Sequence, residues 1–206
     1  MKKILCFGDS NTYGYVPGSG ERYNSDTRWT GVLQEFLGKD FQVIEAGCNN
    51  RTCFVDNPDG KMFTGYKILP EFLADDLNYV ILAIGVNDLQ LFFNTTYNDI
   101  KNGIINLVNI TRERVKNANI LIVAPPKISK NILYGNFSFQ FNEKSIEKSH
   151  KIGEIYRTVT EEYNCLFLDL DKIIKVSTKD GLHYEPEAHK KIAQEIYKII
   201  KEKDIL

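Results

Sequence analysis

Residues 3–12 read Lys3-Ile4-Leu5-Cys6-Phe7-Gly8-Asp9-Ser10-Asn11-Thr12, an apolar run that stops at a glycine and turns directly into small polar side chains. A short run without polar alternation suits a strand covered on both faces, as in a parallel sheet flanked by helices. Four further runs have the same character: Gln42 to Glu45, Tyr79 to Ile84, Ile120 to Ala124 and Leu166 to Leu168. Segments of helical period lie between them. Trp29 to Leu37 ends at Gly38, a C-cap residue, and Thr96 to Val115 repeats apolar side chains at Ile100, Ile104, Leu107 and Val108. Glu143 to Tyr163 and Glu187 to Ile200 give two more helices, and Tyr66 to Leu73 a weaker one that Pro70 must either open or bend.

Alternating strands and helices predict an α/β chain, a single flavodoxin-like three-layer α/β/α domain over 1–206 with a five-stranded parallel sheet. The 206 residues carry 26 Lys plus Arg against 27 Asp plus Glu, a net charge of −1, so no global field draws phosphate backbones or anionic lipid. Neither nucleic acid nor a membrane is expected as a partner. The run Ile4 to Phe7 is too short for a secretory signal, and no apolar run is long enough to cross a bilayer. The four cysteines are scattered without a Cys-x-x-Cys pair, which reads as reduced thiols in a cytoplasmic protein. Cys6 and Cys165 are expected in buried strands. Cys48 and Cys53 fall in a polar loop, where they are either packing residues or candidates for redox or nucleophilic chemistry.

Parallel sheets bind ligands at the carboxyl ends of their strands. Two long loops, Asp9 to Thr27 and Pro125 to Gln140, leave that edge and are candidate walls of a site. The residues just past the strands are Gly8-Asp9-Ser10-Asn11-Thr12, Gly47-Cys48-Asn49-Asn50 and Gly85-Val86-Asn87-Asp88, with Asp180-Gly181-Leu182-His183 one loop after the fifth strand. Each block taken alone reads more readily as a turn or a helix cap than as catalytic machinery. Together they place a serine, amide donors and an Asp three residues before a His at one edge, an inventory that suits acyl transfer. Of the three histidines, His150 and His189 are flanked by lysines inside helices and are expected at the surface, which leaves His183 as the candidate base. An oxyanion would need donors: the Ser10 backbone N–H, a backbone N–H between Gly47 and Asn50, and the Asn87 side chain are available.

The four blocks, in this order, resemble those of the SGNH (GDSL-type) hydrolases and are spread over nearly the whole chain. Tyr13-Gly14-Tyr15-Val16-Pro17, Arg28-Trp29-Thr30-Gly31-Val32-Leu33, Val43-Ile44-Glu45-Ala46-Gly47 and Arg51-Thr52 are similar to stretches of the arylesterase and acyltransferase branch. The resemblance implies Ser10 as nucleophile, His183 as general base and then acid, and Asp180 as the residue orienting His183. It also implies an oxyanion hole from Ser10, Asn87 and either Asn50 or Gly47, with Asn50 favoured, although the family often carries a small residue where Asn50 stands. The implied activity is a serine esterase acting on small, soluble short-acyl or aryl esters through an acyl-Ser10 intermediate, with acyl transfer to an alcohol open to it.

Asn11, Tyr13, Tyr15, Trp29, Phe54, Leu91, Phe92, Phe93, Phe137, Phe139 and Tyr184 lie in or beside the rim loops and are candidates for a substrate pocket. The alternation Phe137-Ser138-Phe139-Gln140-Phe141 is alternatively a strand-like arm packing on another subunit, and a homo-oligomer is expected on that ground. A Walker A lysine, a Gly-x-Gly-x-x-Gly turn and metal-ligand spacing are all absent, so no cofactor and no metal are expected. The rival readings are a carbohydrate O-deacetylase with the same triad and a non-catalytic small-molecule binding protein on the same sheet.

Overall fold

In the computed structural model, which describes residues 1–205 with side chains through 203, strands β1 (Lys2–Gly8), β2 (Phe41–Gly47), β3 (Leu77–Ala83), β4 (Asn119–Ala124) and β5 (Leu166–Asp169) form one sheet. All pairings are parallel and the order is β2-β1-β3-β4-β5. Period-two alternation inside the apolar runs divides the core. Leu5, Phe7, Val80, Leu82, Ile120 and Ile122 face one side, and Ile4, Cys6, Tyr79, Ile81, Leu121 and Val123 the other. The first side is covered by α4 (Tyr97–Arg114) and α5 (Glu143–Glu162), through Ile104, Leu107, Ile152 and Tyr156 among others. The second is covered by α2 (Trp29–Leu37) and α6 (Pro186–Ile205), through Leu33, Ile192, Ala193 and Ile196. The three-layer α/β/α expectation holds. Among the described residues no helix is long and apolar enough to cross a membrane.

Helix starts follow local chemistry. Thr96 with Asp99 and Asn142 with Ser145 form reciprocal capping boxes at the heads of α4 and α5. The weak helix around Pro70 splits: α3 (Gly65–Ile68) stops, and Pro70 opens a 3-10 turn over Leu69–Glu71, where its missing N–H costs nothing. Inside the long first loop, the short helix α1 (Ser10–Tyr13) forms at once after β1, too brief to leave a periodic pattern. The 137–141 alternation is not a strand. Its backbone turns, with Phe141 buried, Phe137 half-buried and Phe139 64% exposed. Cys165 is half-buried just ahead of β5 rather than buried within it.

The edge strand β2 is closed by a side chain. Gln34 of α2 donates from Nε2 to the Phe41 carbonyl at 3.1 Å and accepts the Val43 N–H at Oε1 at 2.8 Å. The strand order reverses direction between β1 and β3, so the loops after these two strands diverge and leave a crevice at their carboxyl ends.

Candidate active site

Ser10 is placed by the end of β1. Asp9 takes an extended conformation and N-caps α1, its carboxylate accepting the Asn11 N–H at 2.9 Å, so Ser10 becomes the first helical residue. The turn requires Gly8: a Cβ there would lie 2.1 Å from Thr12 Oγ1 and 2.4 Å from the Ala83 carbonyl. Burial pushes Asp9 up to about 7, with the Asp88 charge adding to the rise and the Asn11 N–H and Arg51 opposing it.

The Asp180 to His183 turn brings the other two candidates to Ser10. Asp180 Oδ1 accepts the backbone N–H groups of Leu182 and His183, each at 3.0 Å, while Oδ2 lies 2.8 Å from His183 Nδ1. His183 Nε2 is 2.9 Å from Ser10 Oγ. The turn is tied down by Ser177, whose N–H donates to the His183 carbonyl at 2.7 Å, and by Ser129, whose N–H donates to Gly181. Burial would raise Asp180, but the His183 hydrogen bond and charge and the two backbone N–H groups hold it below the ordinary carboxylate range. An ionised Asp180 is acceptor-only, so the proton sits on Nδ1 and the Nε2 lone pair faces the Ser10 hydroxyl.

Loops after β2 and β3 supply amides beside this line. Asn50 sits in a left-handed turn at φ 59°, and its N–H, like that of Ser10, has no acceptor among the described residues. Asn87 donates one amide hydrogen to the Arg51 carbonyl at 3.0 Å and accepts at Oδ1 from Gln90 Nε2 at 3.3 Å, leaving its second hydrogen unused. The 3-10 turn Asn87–Leu89 is held by Ser145 at the head of α5, whose hydroxyl donates to the Leu89 carbonyl at 2.6 Å. Asp88 binds the two loops together by accepting the N–H groups of Cys53, Phe54 and Val55; burial still pushes its carboxyl up to about 6. The buried Arg51 guanidinium donates to the Gly8 and Ala46 carbonyls, fastening the ends of β1 and β2. Gly47 closes β2 against α1, where a Cβ would lie 2.2 Å from the Tyr13 nitrogen; glycine there admits the helix.

Few of the expected pocket residues reach this site. Tyr15 stacks on the His183 ring at 4.1 Å between centroids, and Phe137 lies 5.3 Å from the same ring. Leu91, Phe92 and Phe139 are exposed on adjoining loops joined by the Leu91 N–H and the Gln140 carbonyl. The others are corrections. Trp29 and Tyr184 are buried in the α2/α6 core, Phe54 packs its ring onto Gly103 of α4, and Tyr13 lies against Arg22 with the guanidinium 4.6 Å from its ring. Asn11 is buried and donates to the Leu182 carbonyl at 3.5 Å, bracing the turn that carries His183. Cys53 is fully buried, and Cys48 is half-buried with its thiol pushed up by burial, against the opposing charge of Arg51.

His189 is a further correction: it is fully buried, not a surface residue. Its Nδ1 accepts the Trp29 N–H at 3.3 Å, Tyr23 and Tyr184 pack edge-on to its ring, and Nε2 has no partner among the described residues. Positions 189, 192, 193, 196 and 200 fall on one helical stripe, a signal that the neighbouring lysines obscure. Burial, then the charge of His183, lowers its pKa to about 4. Between about pH 4 and 6.5 the unfolded chain therefore binds a proton at this position that the folded chain does not, so stability rises with pH across that window. Relative to His189→Asn, which keeps an acceptor for Trp29, the wild type is expected to gain on the order of 3 kcal/mol from pH 4 to 7. Parallel urea-unfolding curves for the two proteins over that range would reject the assignment.

Gln90, Asp88 and Arg51 are neighbours of the candidate site whose contacts the sequence does not signal; Gln90, three residues after Asn87, carries at most the spacing of a tight turn. The family model for the GDSL-like lipase/acylhydrolase family matches residues 6–191. No curated protein matches the chain. Among solved structures, the chain is similar to the aryl esterase of M. smegmatis, with 31% identity over 98% of this chain and 99% of that one and a TM-score of 0.90. It is also similar to Est24, a carbohydrate acetylesterase from Sinorhizobium meliloti, at 28% identity over 98% and 99% with a TM-score of 0.89. A carbohydrate acetylesterase family member from the same organism gives 30% identity over 98% of each chain and a TM-score of 0.90.

Proposed function

The chain belongs to the GDSL-like lipase/acylhydrolase family, and from that premise we propose that it is a serine esterase of small, soluble short-acyl or aryl esters. The observation carrying this reading is the continuous line Asp180 Oδ2, His183, Ser10 Oγ, with separations of 2.8 and 2.9 Å. His183 Nε2 takes the Ser10 proton as Oγ attacks the ester carbonyl, and the new oxyanion is met by the N–H groups of Ser10 and Asn50 and the free Asn87 amide hydrogen. Collapse breaks the bond to the alcohol, which leaves with the proton from Nε2. Water then gives a proton to the same nitrogen, attacks the acyl-serine, and the carboxylic acid departs as Ser10 regains its hydrogen. Asp180, held ionised, stabilises the imidazolium formed twice in each cycle.

The aromatic cover of Tyr15 and Phe137 leaves His183 2% exposed, which supports an apolar aryl or short acyl group and, with water restricted, partial acyl transfer to an alcohol. The exposed Leu91, Phe92 and Phe139 support association with copies of the same chain, and light scattering showing only monomer overturns that part. A second reading, removal of O-acetyl groups from a carbohydrate by the same residues, is favoured by the two Sinorhizobium meliloti neighbours. The test is hydrolysis of p-nitrophenyl acetate, butyrate and octanoate beside an acetylated sugar, with benzyl alcohol as a competing acceptor and a serine-directed phosphonate as label. Short-chain turnover with the label on Ser10 is expected. Preference for the sugar would favour the second reading, and neither turnover nor label would leave a binding protein.

A further inference from the structure

We propose that Gln90 is a positioning residue that sets the direction of two oxyanion donors, Asn50 and Asn87; the inference rests on the esterase reading above. Gln90 is 5% exposed and fixed at its backbone on both sides: its N–H donates to the Asn87 carbonyl at 3.2 Å and the next N–H, of Leu91, to the Gln140 carbonyl at 2.8 Å. Its Nε2 has two hydrogens, and both go to side-chain carbonyl oxygens of the candidate donors, Asn50 Oδ1 at 2.8 Å and Asn87 Oδ1 at 3.3 Å.

An asparagine amide keeps nearly the same shape when its two ends exchange, so only its partners decide which end points where. For Asn87 those partners are Gln90 Nε2, a donor, and the Arg51 carbonyl, an acceptor. The reversed amide would set NH2 against NH2 and carbonyl against carbonyl. Gln90 therefore keeps the Asn87 nitrogen on the side of the oxyanion, with one hydrogen on Arg51 and one in reserve. Asn50 is pinned more completely. Its Oδ1 is held by Gln90, its Nδ2 donates to Asp59 at 2.8 Å, and its backbone carbonyl accepts from Asn57 Nδ2 at 2.7 Å. The three anchors hold the Asn50 side chain and the peptide that follows it, and with φ at 59° they set the line of its N–H, in the peptide that precedes it, as well.

The expected pattern separates side chains that donate from those that do not. Gln90→Met removes both hydrogen bonds and lowers kcat by about tenfold or more with KM within about twofold, since the donors act on the transition state. Gln90→Glu, close to isosteric, places acceptors against acceptors, invites the Asn87 amide to reverse, and approaches the roughly 100-fold loss of Asn87→Ala. In an Asn87→Ala background, Gln90→Met costs much less than in wild type, because part of what it positions is gone. Circular dichroism establishes that each variant is folded, and if Gln90→Met is not, Gln90→Glu decides. Full kcat in folded Gln90→Met and Gln90→Glu, or an undiminished loss in the Asn87→Ala background, each overturn the inference. A wild type that hydrolyses no ester and takes no phosphonate at Ser10 overturns the esterase reading and this inference with it, whereas with an active wild type the variants test Gln90 alone.

Discussion

Ser10→Ala is expected to lower kcat for p-nitrophenyl acetate by at least ~10⁴-fold, leaving only the residual rate that oriented binding and oxyanion donors provide without a nucleophile. The substitution removes one oxygen at a position 5% exposed and breaks the 2.9 Å contact with His183 Nε2. Asp9 still caps α1 through the Asn11 N–H, so the turn keeps its anchor. The penalty is a buried imidazole nitrogen without its partner, about 1 to 3 kcal/mol, which a melting curve will register without loss of fold. Intact mass after phosphonate treatment should show one adduct on wild type and none on the variant. Residual turnover above about a hundredth of wild type, against the collapse expected for loss of a nucleophile, would point to another group, and the half-buried Cys48 thiol is the first to examine.

Asp180→Asn should be nearly as severe, about 10³ to 10⁴-fold in kcat, for a different reason. Oδ1 of Asp180 holds the Leu182 and His183 N–H groups, and an asparagine oxygen takes over that duty unchanged. The amide nitrogen then falls where Oδ2 was, facing His183 Nδ1 at 2.8 Å, and being a donor it forces Nδ1 to accept. The imidazole proton moves to Nε2, which now donates toward Ser10 instead of accepting from it. The ring stays in place, in the wrong tautomer. A folded Asp180→Asn protein losing less than about tenfold would mean that orientation of His183 by a carboxylate is not what the reaction depends on.

What is legible in the sequence follows from how locally each feature is written. β1, β3 and β4 are readable because both faces are buried and nearly every position is apolar, whereas β2 is more exposed along its length and extends past the apolar run at both ends. The triad is readable because Ser10 follows a strand directly and Asp180 and His183 share one turn. Trp29 and His189 depart from expectation for a common reason: neighbours along the chain suggest a rim and a surface, although Trp29 with Val32 and Leu33, and His189 with Ile192 and Ala193, already spell a buried helical face. The contacts of Gln90 with Asn50, 40 residues away, depend on how two loops meet above the sheet and leave no trace in spacing. For the same reason the residue that roofs His183 is Phe137 and not Phe139, a distinction decided by a turn of the backbone.

The amide of Gln34 has a meaning that extends past one molecule. An uncovered sheet margin is a template on which an extended segment of any passing chain can crystallise, one rung at a time, and such growth has no natural stopping point. Gln34 offers the Phe41 carbonyl and the Val43 N–H the same donor and acceptor that a sixth strand would bring, but on a side chain that cannot be extended further. One rung of the ladder is thus occupied by a chain terminator built into the fold. A strand adding along β2 at this point would first have to displace that amide from both of its partners.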